Sequence, residues 1–577
     1  MRFLRMLTNA LLAGAFGAAY LTILVLQLNP DVPLVSAAAW WWFVTLGMLY
    51  GVHFAVLFYA ALVAREFFTM QVLSPGWASV RLLAWLGAVL AAGAALLMWL
   101  NVRGLGATLG DAAEWRMTAG AVAATVSAVL LLAIAVAHYS FGRRGSRVGA
   151  SLFAIAVAGS MALPLAARGP ATSVRGTAAA TAGARPPETA GGPRVTLVLL
   201  DAASLEHIWP RAARGGLPTF SRILDGGAAV DLATIRPTQP GPVWAVAATG
   251  LYPDRNGIRS AARYYALRDR RGVSLLPDHS LSHALVHLGF VRHVPLTSAD
   301  WNVRPVWSIL ADAGLSSGIV RWPLTHPART PAGFIVSERL HQVIGSFAEF
   351  ERAVYPPVLR RTVEETIALA EGSPATAVDS VFAGGSPEDN AMQRDLLYSR
   401  IGHALRADVQ PRLFAIRYEG LDTIGHYYLR YAQGRAPRDV PEEERRRFAE
   451  VVDRYYAFVD RELGAVVSEM TPGDLLLVIS GFGMHAMGPV KQALGRLLGD
   501  PKFTGTHDRA PDGFLLAFGT TVQPGRPPRG SIADITPTLL YFFGLPVGRD
   551  MDGYARADLF TRDFTAERPI TFIPTYR

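Results

Sequence analysis

A chain of 577 residues is longer than one ordinary domain, and 51% hydrophobic content is high for a soluble protein. The formal charge of +9 does not point to nucleic acid, because the basic residues are scattered, nearly all are arginine, and no stacking motif accompanies them. With no cysteine, disulfides and thiolate metal sites are excluded, so the C-terminal part, about 380 residues, must rely on its apolar core.

The hydrophobic excess lies in the first 170 residues. Five stretches, Leu7–Leu28, Ala37–Val63, Leu82–Leu100, Met117–Ala137 and Val148–Ala167, can each span a bilayer core of ~30 Å at 1.5 Å rise per residue. The first has the basic flank of a secretory signal in Arg2 and Arg5, but its apolar run is too long for one and reads as a retained helix. Arg2, Arg5, Arg65, Arg81, Arg143, Arg144 and Arg147 flank one set of helix ends, against Arg103 and Arg116 at the other. The positive-inside rule therefore places the N-terminus in the cytoplasm. Five crossings would then put everything beyond Ala167 outside, as a periplasmic domain on a bacterial-type inner membrane. Trp40, Trp41 and Trp42 open the second stretch, where an interfacial aromatic belt is expected. His53, inside that stretch, reads either as a functional intramembrane group or, more simply, as a neutral histidine held by a hydrogen bond.

Residues 169–193 are rich in Ala, Gly, Pro and Thr and read as a flexible linker between a membrane anchor, 1–168, and a folded domain, 194–577. In that domain short β runs alternate with helical patterns, the mark of an α/β fold with a mainly parallel central sheet. The clearest buried strands are Val195–Leu200, Gly318–Arg321, Leu413–Arg417, Leu475–Ile479 and Phe514–Phe518. One long helix is expected after Asp439 as N-cap, with Pro441 in its first turn and Phe448, Val451, Val452, Tyr455, Val459 and Leu463 on one face.

Ligands of an open α/β sheet bind beyond the carboxyl ends of its strands. Those places hold Asp201, then Asp422 and His426, then Gly481 and Phe482, while His507 precedes the last strand. Aspartate and histidine suit zinc. Glycine and phenylalanine offer it no side-chain ligand.

Several segments occur in an order that resembles the alkaline phosphatase superfamily, specifically its type I phosphodiesterase/nucleotide pyrophosphatase branch. They are Val198-Leu-Leu-Asp201, Thr249-Gly-Leu-Tyr-Pro-Asp-Arg-Asn-Gly-Ile258, Val306-Trp-Ser-Ile-Leu-Ala-Asp-Ala-Gly314, Gly420-Leu-Asp-Thr-Ile-Gly-His426, Gly505-Thr-His507, and Ile532-Ala-Asp-Ile-Thr-Pro-Thr-Leu-Leu540 followed by Asp550-Met-Asp-Gly553. The resemblance implies an alkaline-phosphatase-like domain with two metal ions, usually zinc. One would be held by an Asp-x-x-x-His pair and a late histidine, which Asp422, His426 and His507 match. The other would use an early aspartate, matched by Asp201, an Asp-His pair in a Ser-Asp-His-Gly-Met-like motif, and the nucleophile. Here that motif reads Ser480-Gly481-Phe482-Gly483-Met484, with flanks intact and both ligands replaced. His485 is nearby but out of phase. The nucleophile, a Ser or Thr ten residues before Gly250, falls on Pro240; Thr238, two residues away, reads either as a substitute nucleophile if its loop repacks or, more simply, as a turn residue.

Losing a nucleophile and two ligands of one metal removes much transition-state stabilisation, at tenfold in rate for each ~1.4 kcal/mol. Phe482 is expected to fill the vacated volume, Pro240 to stiffen its loop, and Asp201 to find an arginine or backbone donors. Three readings stay open. The chain is a membrane-anchored pseudoenzyme that keeps one zinc and has lost conventional two-metal hydrolysis. Alternatively it is a single-metal hydrolase of phosphate or sulfate esters using zinc-bound hydroxide at Asp422, His426 and His507. In the third, the membrane bundle is the functional part, in envelope lipid or glycan handling. The partners implied are the lipid bilayer and a phosphorylated or sulfated small molecule, lipid or glycan, with a pocket shaped by insertions near 259–300 and 340–390.

Overall fold

A computed structural model describes residues 1–69, 77, 79–109, 111–141, 147–168, 191–236, 238–277, 280–329, 332–371, 390–432, 440–488, 491–493, 502–507 and 511–576. Two compact units result. One takes in the N-terminal helices and the segment Ala262–Pro295; the other takes the chain up to Ala261 and again from Leu296. The linker expected over 169–193 lies mostly outside the described residues.

The first unit is helical: α1 (Arg2–Leu28), α2 (Ala37–Leu46, continuing through a π-helical turn at Gly47–Gly51 into Val52–Thr69), α3 (Val80–Leu109), α4 (Asp111–Phe141) and α5 (Arg147–Ala167). Four of these are long and apolar enough to cross a membrane. In α5 the described apolar run is Ser151–Ala167, shorter than the other four and than the ~20 residues of a full crossing, so the expected count of five is not reached. The His53 ring lies against the Leu49 carbonyl one turn back, as the simpler reading of that residue requires.

Part of the insertion expected near 259–300 belongs to this helical unit. Ala262–Tyr265 pairs antiparallel with Arg292–Pro295. The Asn29 carboxamide, just past α1, donates to the Leu275 carbonyl at 2.8 Å and accepts from the Ser274 and Leu275 amides at 3.0 Å. Ala266, Val273, Leu285 and Val291 then bury themselves with Val32, Trp42 and Leu46 in one apolar cluster.

The second unit is built on a nine-stranded sheet: β1 (Val195–Leu200), β2 (Ala228–Ala233), β3 (Ser317–Val320), β4 (Gly333–Val336), β5 (Val354–Tyr355), β6 (Leu413–Tyr418), β7 (Leu475–Ser480), β8 (Gly513–Phe518) and β9 (Gly530–Ser531), in the order β9-β2-β8-β7-β1-β6-β3-β4-β5. From β7 to β4 the neighbours run parallel, while β8 is antiparallel to both β7 and β2. Every residue of β1, β6 and β7 is buried. Their mostly apolar runs follow from helices covering both faces, and along β1 the side chains alternate between two clusters: Val195, Leu197 and Leu199 in one, Val198 and Leu200 in the other.

The expected long helix is two. Glu442–Phe448 has Pro441 as its cap residue, and α9 (Val451–Ser468) follows after a turn; Asp439 lies outside the described residues. The apolar face of α9 buries Val451, Val452, Tyr455, Val459 and Leu463 as expected.

A charged knot ties this unit together. Asp395, on α7 (Asn390–Val409), and Arg321, just past β3, form an ion pair with side chains 0% and 1% exposed. The Asp395 carboxylate also accepts from Tyr455 Oη at 2.6 Å and from the Gly420 amide at 3.0 Å. That amide opens α8 (Gly420–Tyr428), so Asp395 fixes where α8 begins. Removing one partner of such a pair leaves a buried uncompensated charge. Asp395→Ala is expected to lower stability by about 3–5 kcal/mol in urea unfolding of the detergent-solubilised chain; a loss below about 1 kcal/mol, the scale of an exposed pair, would contradict this account.

Candidate metal centre

The carboxyl ends of β1, β6 and β7 and the loop before β8 face one region, because β8 runs opposite to β7. Asp422 and His426 sit four residues apart on α8, on one face of that helix. His507 enters from the two-stranded ladder in which Gly505–Thr506 pairs with His485–Ala486. Ligand atoms of Asp422, His426 and His507 all lie within 4.8 Å of one another, the one such cluster among the described residues.

Backbone carbonyls orient both imidazoles. His426 Nδ1 lies 2.9 Å from the Gly505 carbonyl, and His507 Nδ1 lies 3.1 Å from the Gly483 carbonyl. A carbonyl only accepts, so each Nδ1 carries a proton, and in the neutral ring each Nε2 keeps its lone pair. His507 Nε2 approaches Asp422 Oδ1 to 2.6 Å, and His426 Nε2 comes within 3.7 Å of the same oxygen. Yet Asp422 Oδ1 and His507 Nε2 are buried atoms without an aligned hydrogen bond. One carboxylate and two imidazoles are a donor set suited to a cation, which Asp422 Oδ1 and His507 Nε2 would have to move apart to admit. Burial disfavours the charged form of His507, but neighbouring Asp422 outweighs it and raises the imidazole above its ordinary value. Gly505 makes the approach possible: a Cβ there would meet the Gly425 carbonyl oxygen at 2.4 Å. Aromatic rings back both histidines, with Phe503 stacked on His426 at 5.0 Å and Phe482 edge-on to His507 at 4.8 Å.

Asp201, at the end of β1, is fully buried and engaged elsewhere. Trp244 Nε1 donates to its Oδ1 at 2.7 Å, and Arg417 Nε donates to its Oδ2 at 3.0 Å, with a second guanidinium nitrogen on the same oxygen. Arg417 stands on β6 opposite Leu199 of β1, so the strand register itself delivers the guanidinium. Glu419 continues the chain of charges, 3.4 Å from Arg417 and 3.1 Å from Arg321. Burial pushes the Glu419 carboxyl up, but the two arginines outweigh it and hold it at about 2. Burial also opposes the charge on Arg417, and Asp201 and Glu419 more than compensate, raising it further above its ordinary value.

Residues 195–503 match the family model of type I phosphodiesterase/nucleotide pyrophosphatase, over more than half of the chain. The chain belongs to that family. Among solved structures, human ectonucleotide pyrophosphatase/phosphodiesterase 5 aligns at 13% identity and a TM-score of 0.37, over 64% of this chain and 100% of that one. The murine protein of the same name, in an inactive form in complex with AMP, aligns at 14% identity and a TM-score of 0.38 over the same shares. No curated protein matches the sequence.

In this type I phosphodiesterase family member, Pro240 opens helix α6 (Pro240–Thr249) and Gln239 caps it. Thr238 donates its hydroxyl to the Ile235 carbonyl at 3.0 Å, as a turn residue does. Phe482 is completely buried, as expected of a side chain that fills volume. Gly481 has no room for a larger residue: a Cβ would lie 2.4 Å from Val243 Cγ1 on α6. His485 Nδ1 lies 3.0 Å from the Ala486 carbonyl, and His485 is not part of the cluster.

Sequence reasoning expected either an arginine or backbone donors for Asp201; the partners are Arg417, which it did not single out, and Trp244, which it missed. The available signal was Arg417 itself, a charge ending an otherwise apolar strand, which burial tolerates only when paired. Gly481→Ala is expected to cost about 1–3 kcal/mol by overpacking against Val243, and adding Val243→Ala should recover part of it. Urea unfolding of both variants checks this; strictly additive losses would mean the two positions do not touch.

Proposed function

We propose that this chain is a membrane-anchored, extracytoplasmic family member that holds one zinc at Asp422, His426 and His507 and has exchanged conventional two-metal hydrolysis for binding or regulation. The arginine asymmetry of the helix ends supports a cytoplasmic N-terminus, and the outer placement requires α5 to cross as a fifth span beside the four long apolar helices. One aspartate and two imidazoles are a common zinc donor set, and both histidines have the carbonyl partners that ligating imidazoles use.

The carrying observation is the double engagement of Asp201 by Arg417 and Trp244. A two-metal site needs that carboxylate free and needs a hydroxyl nucleophile in line with phosphorus. Here a guanidinium supplies the local positive charge. It stays protonated and offers no exchangeable position for an attacking oxygen. Gly481, Phe482 and Pro240 complete the closure, with Val243 where a second-site side chain would begin.

A zinc at the remaining cluster would supply Lewis acidity toward a phosphate or sulfate oxygen. The protein's own part is to fix three donors, hold both imidazoles in one tautomer and shield them with Phe482 and Phe503. Partial exposure of Asp422, His426 and His507, at 16%, 22% and 13% of their side chains, favours a second reading, hydrolysis at a single metal.

Zinc content and turnover of the detergent-solubilised full chain separate these readings. The expected result is one zinc per chain, lost in His507→Ala, with no cleavage of phosphodiester, phosphomonoester or sulfate ester substrates. Zinc-dependent turnover abolished by His507→Ala would establish the single-metal hydrolase. Two zinc ions per chain would overturn both.

A further inference from the structure

Where α1 ends and α2 begins, the segment 266–272 lies over the connecting loop and shapes a groove of about 490 Å³. Pro33, Ser36 and Trp41 line it on one side, Arg268, Arg270 and Arg271 on the other. The segment is held in place. The Leu267 amide donates to Thr45 Oγ1 at 3.2 Å, and the Arg268 guanidinium carbon lies 5.6 Å from the Trp41 ring centre. Asp269, the acidic residue of the groove, is 7% exposed and accepts from the Arg271 and Gly272 amides at 2.9 and 3.2 Å. Its charge is turned into the turn, while all three arginines are exposed. Arg268 itself adopts a left-handed backbone, φ 55°, which an arginine rarely takes.

The groove is electropositive, and its position specifies the ligand further. It lies at one end of helices that are long and apolar enough to cross a membrane, which would bring it to the level of lipid phosphates in a crossing chain. Leu34, Val35 and Trp40 are exposed beside it at 48%, 99% and 59%, an apolar rim for acyl chains under a cationic cup. Arginine forks pair bidentately with phosphate oxygens.

We infer that this groove binds the phosphate headgroup of an anionic membrane lipid, so that the 262–295 insertion is a lipid-reading platform. The site shares no residue with the Asp422, His426 and His507 cluster and does not depend on which way the chain crosses the bilayer.

Native mass spectrometry of the full chain, released from micelles doped with phosphatidylglycerol or phosphatidylcholine, tests this. The chain is expected to retain phosphatidylglycerol preferentially. Changing Arg268→Gln, Arg270→Gln and Arg271→Gln together should weaken that retention about tenfold without altering phosphatidylcholine adducts. Lysine at the same three positions should restore only part of the preference, supplying charge without the fork, and Trp41→Leu should weaken it less than the triple glutamine change. Equal phosphatidylglycerol retention by the wild-type and triple glutamine chains would overturn the inference. So would displacement of the lipid by glycerol phosphate at comparable concentration, which would identify a soluble phosphate ligand instead.

Discussion

The Asp201 carboxylate ends the central strand with no exposure to water, and what meets it sets the chemistry of the domain. A buried carboxylate must be paired or neutralised. In this chain Arg417 and Trp244 meet it, and both come from the folded core: one from the adjacent parallel strand, the other from the helix that Pro240 opens. From Arg417 the charges alternate through Glu419 and Arg321 to Asp395, which in turn holds the first amide of the helix carrying Asp422 and His426. The network around Asp201 therefore also fixes the start of the helix that carries Asp422 and His426.

This coupling makes sense of the substitutions taken together. Glycine at 481 leaves space that Val243 occupies, phenylalanine at 482 is buried against His507, and proline at 240 begins a helix where the resemblance places a hydroxyl. Each is compatible with the others and with a guanidinium on Asp201. The Asp422, His426 and His507 cluster is built differently, with three potential ligand atoms within 4.8 Å of one another and no arginine seated on its carboxylate.

Much of this was legible in the sequence. The strands β1, β6 and β7 announce themselves as mostly apolar runs because helices cover both faces, and their ends are found to within a residue. Asp422, His426 and His507 could be placed at strand ends and matched to a family motif. Other features depend on register and packing, which local patterns do not encode. Arg417 meets Asp201 because Leu199 pairs with Arg417 across two strands more than 200 residues apart in sequence. The tenancy of Val243 follows from how a helix seats on the sheet. The insertion near 259–300 reads as a pocket-shaping part of the C-terminal domain until Asn29 is seen binding its backbone and its residues are seen to cluster with the N-terminal helices. The helix break before α9 was missed because its charged run has helical propensity on both sides of the turn.

Anomalous diffraction at the zinc edge, from crystals of the zinc-loaded chain, would test the central idea most directly. One peak is expected, within ~2.0–2.2 Å of His426 Nε2, His507 Nε2 and an Asp422 oxygen, with the Arg417 guanidinium still seated on Asp201. A second peak beside Asp201, with Arg417 swung away, would contradict the account.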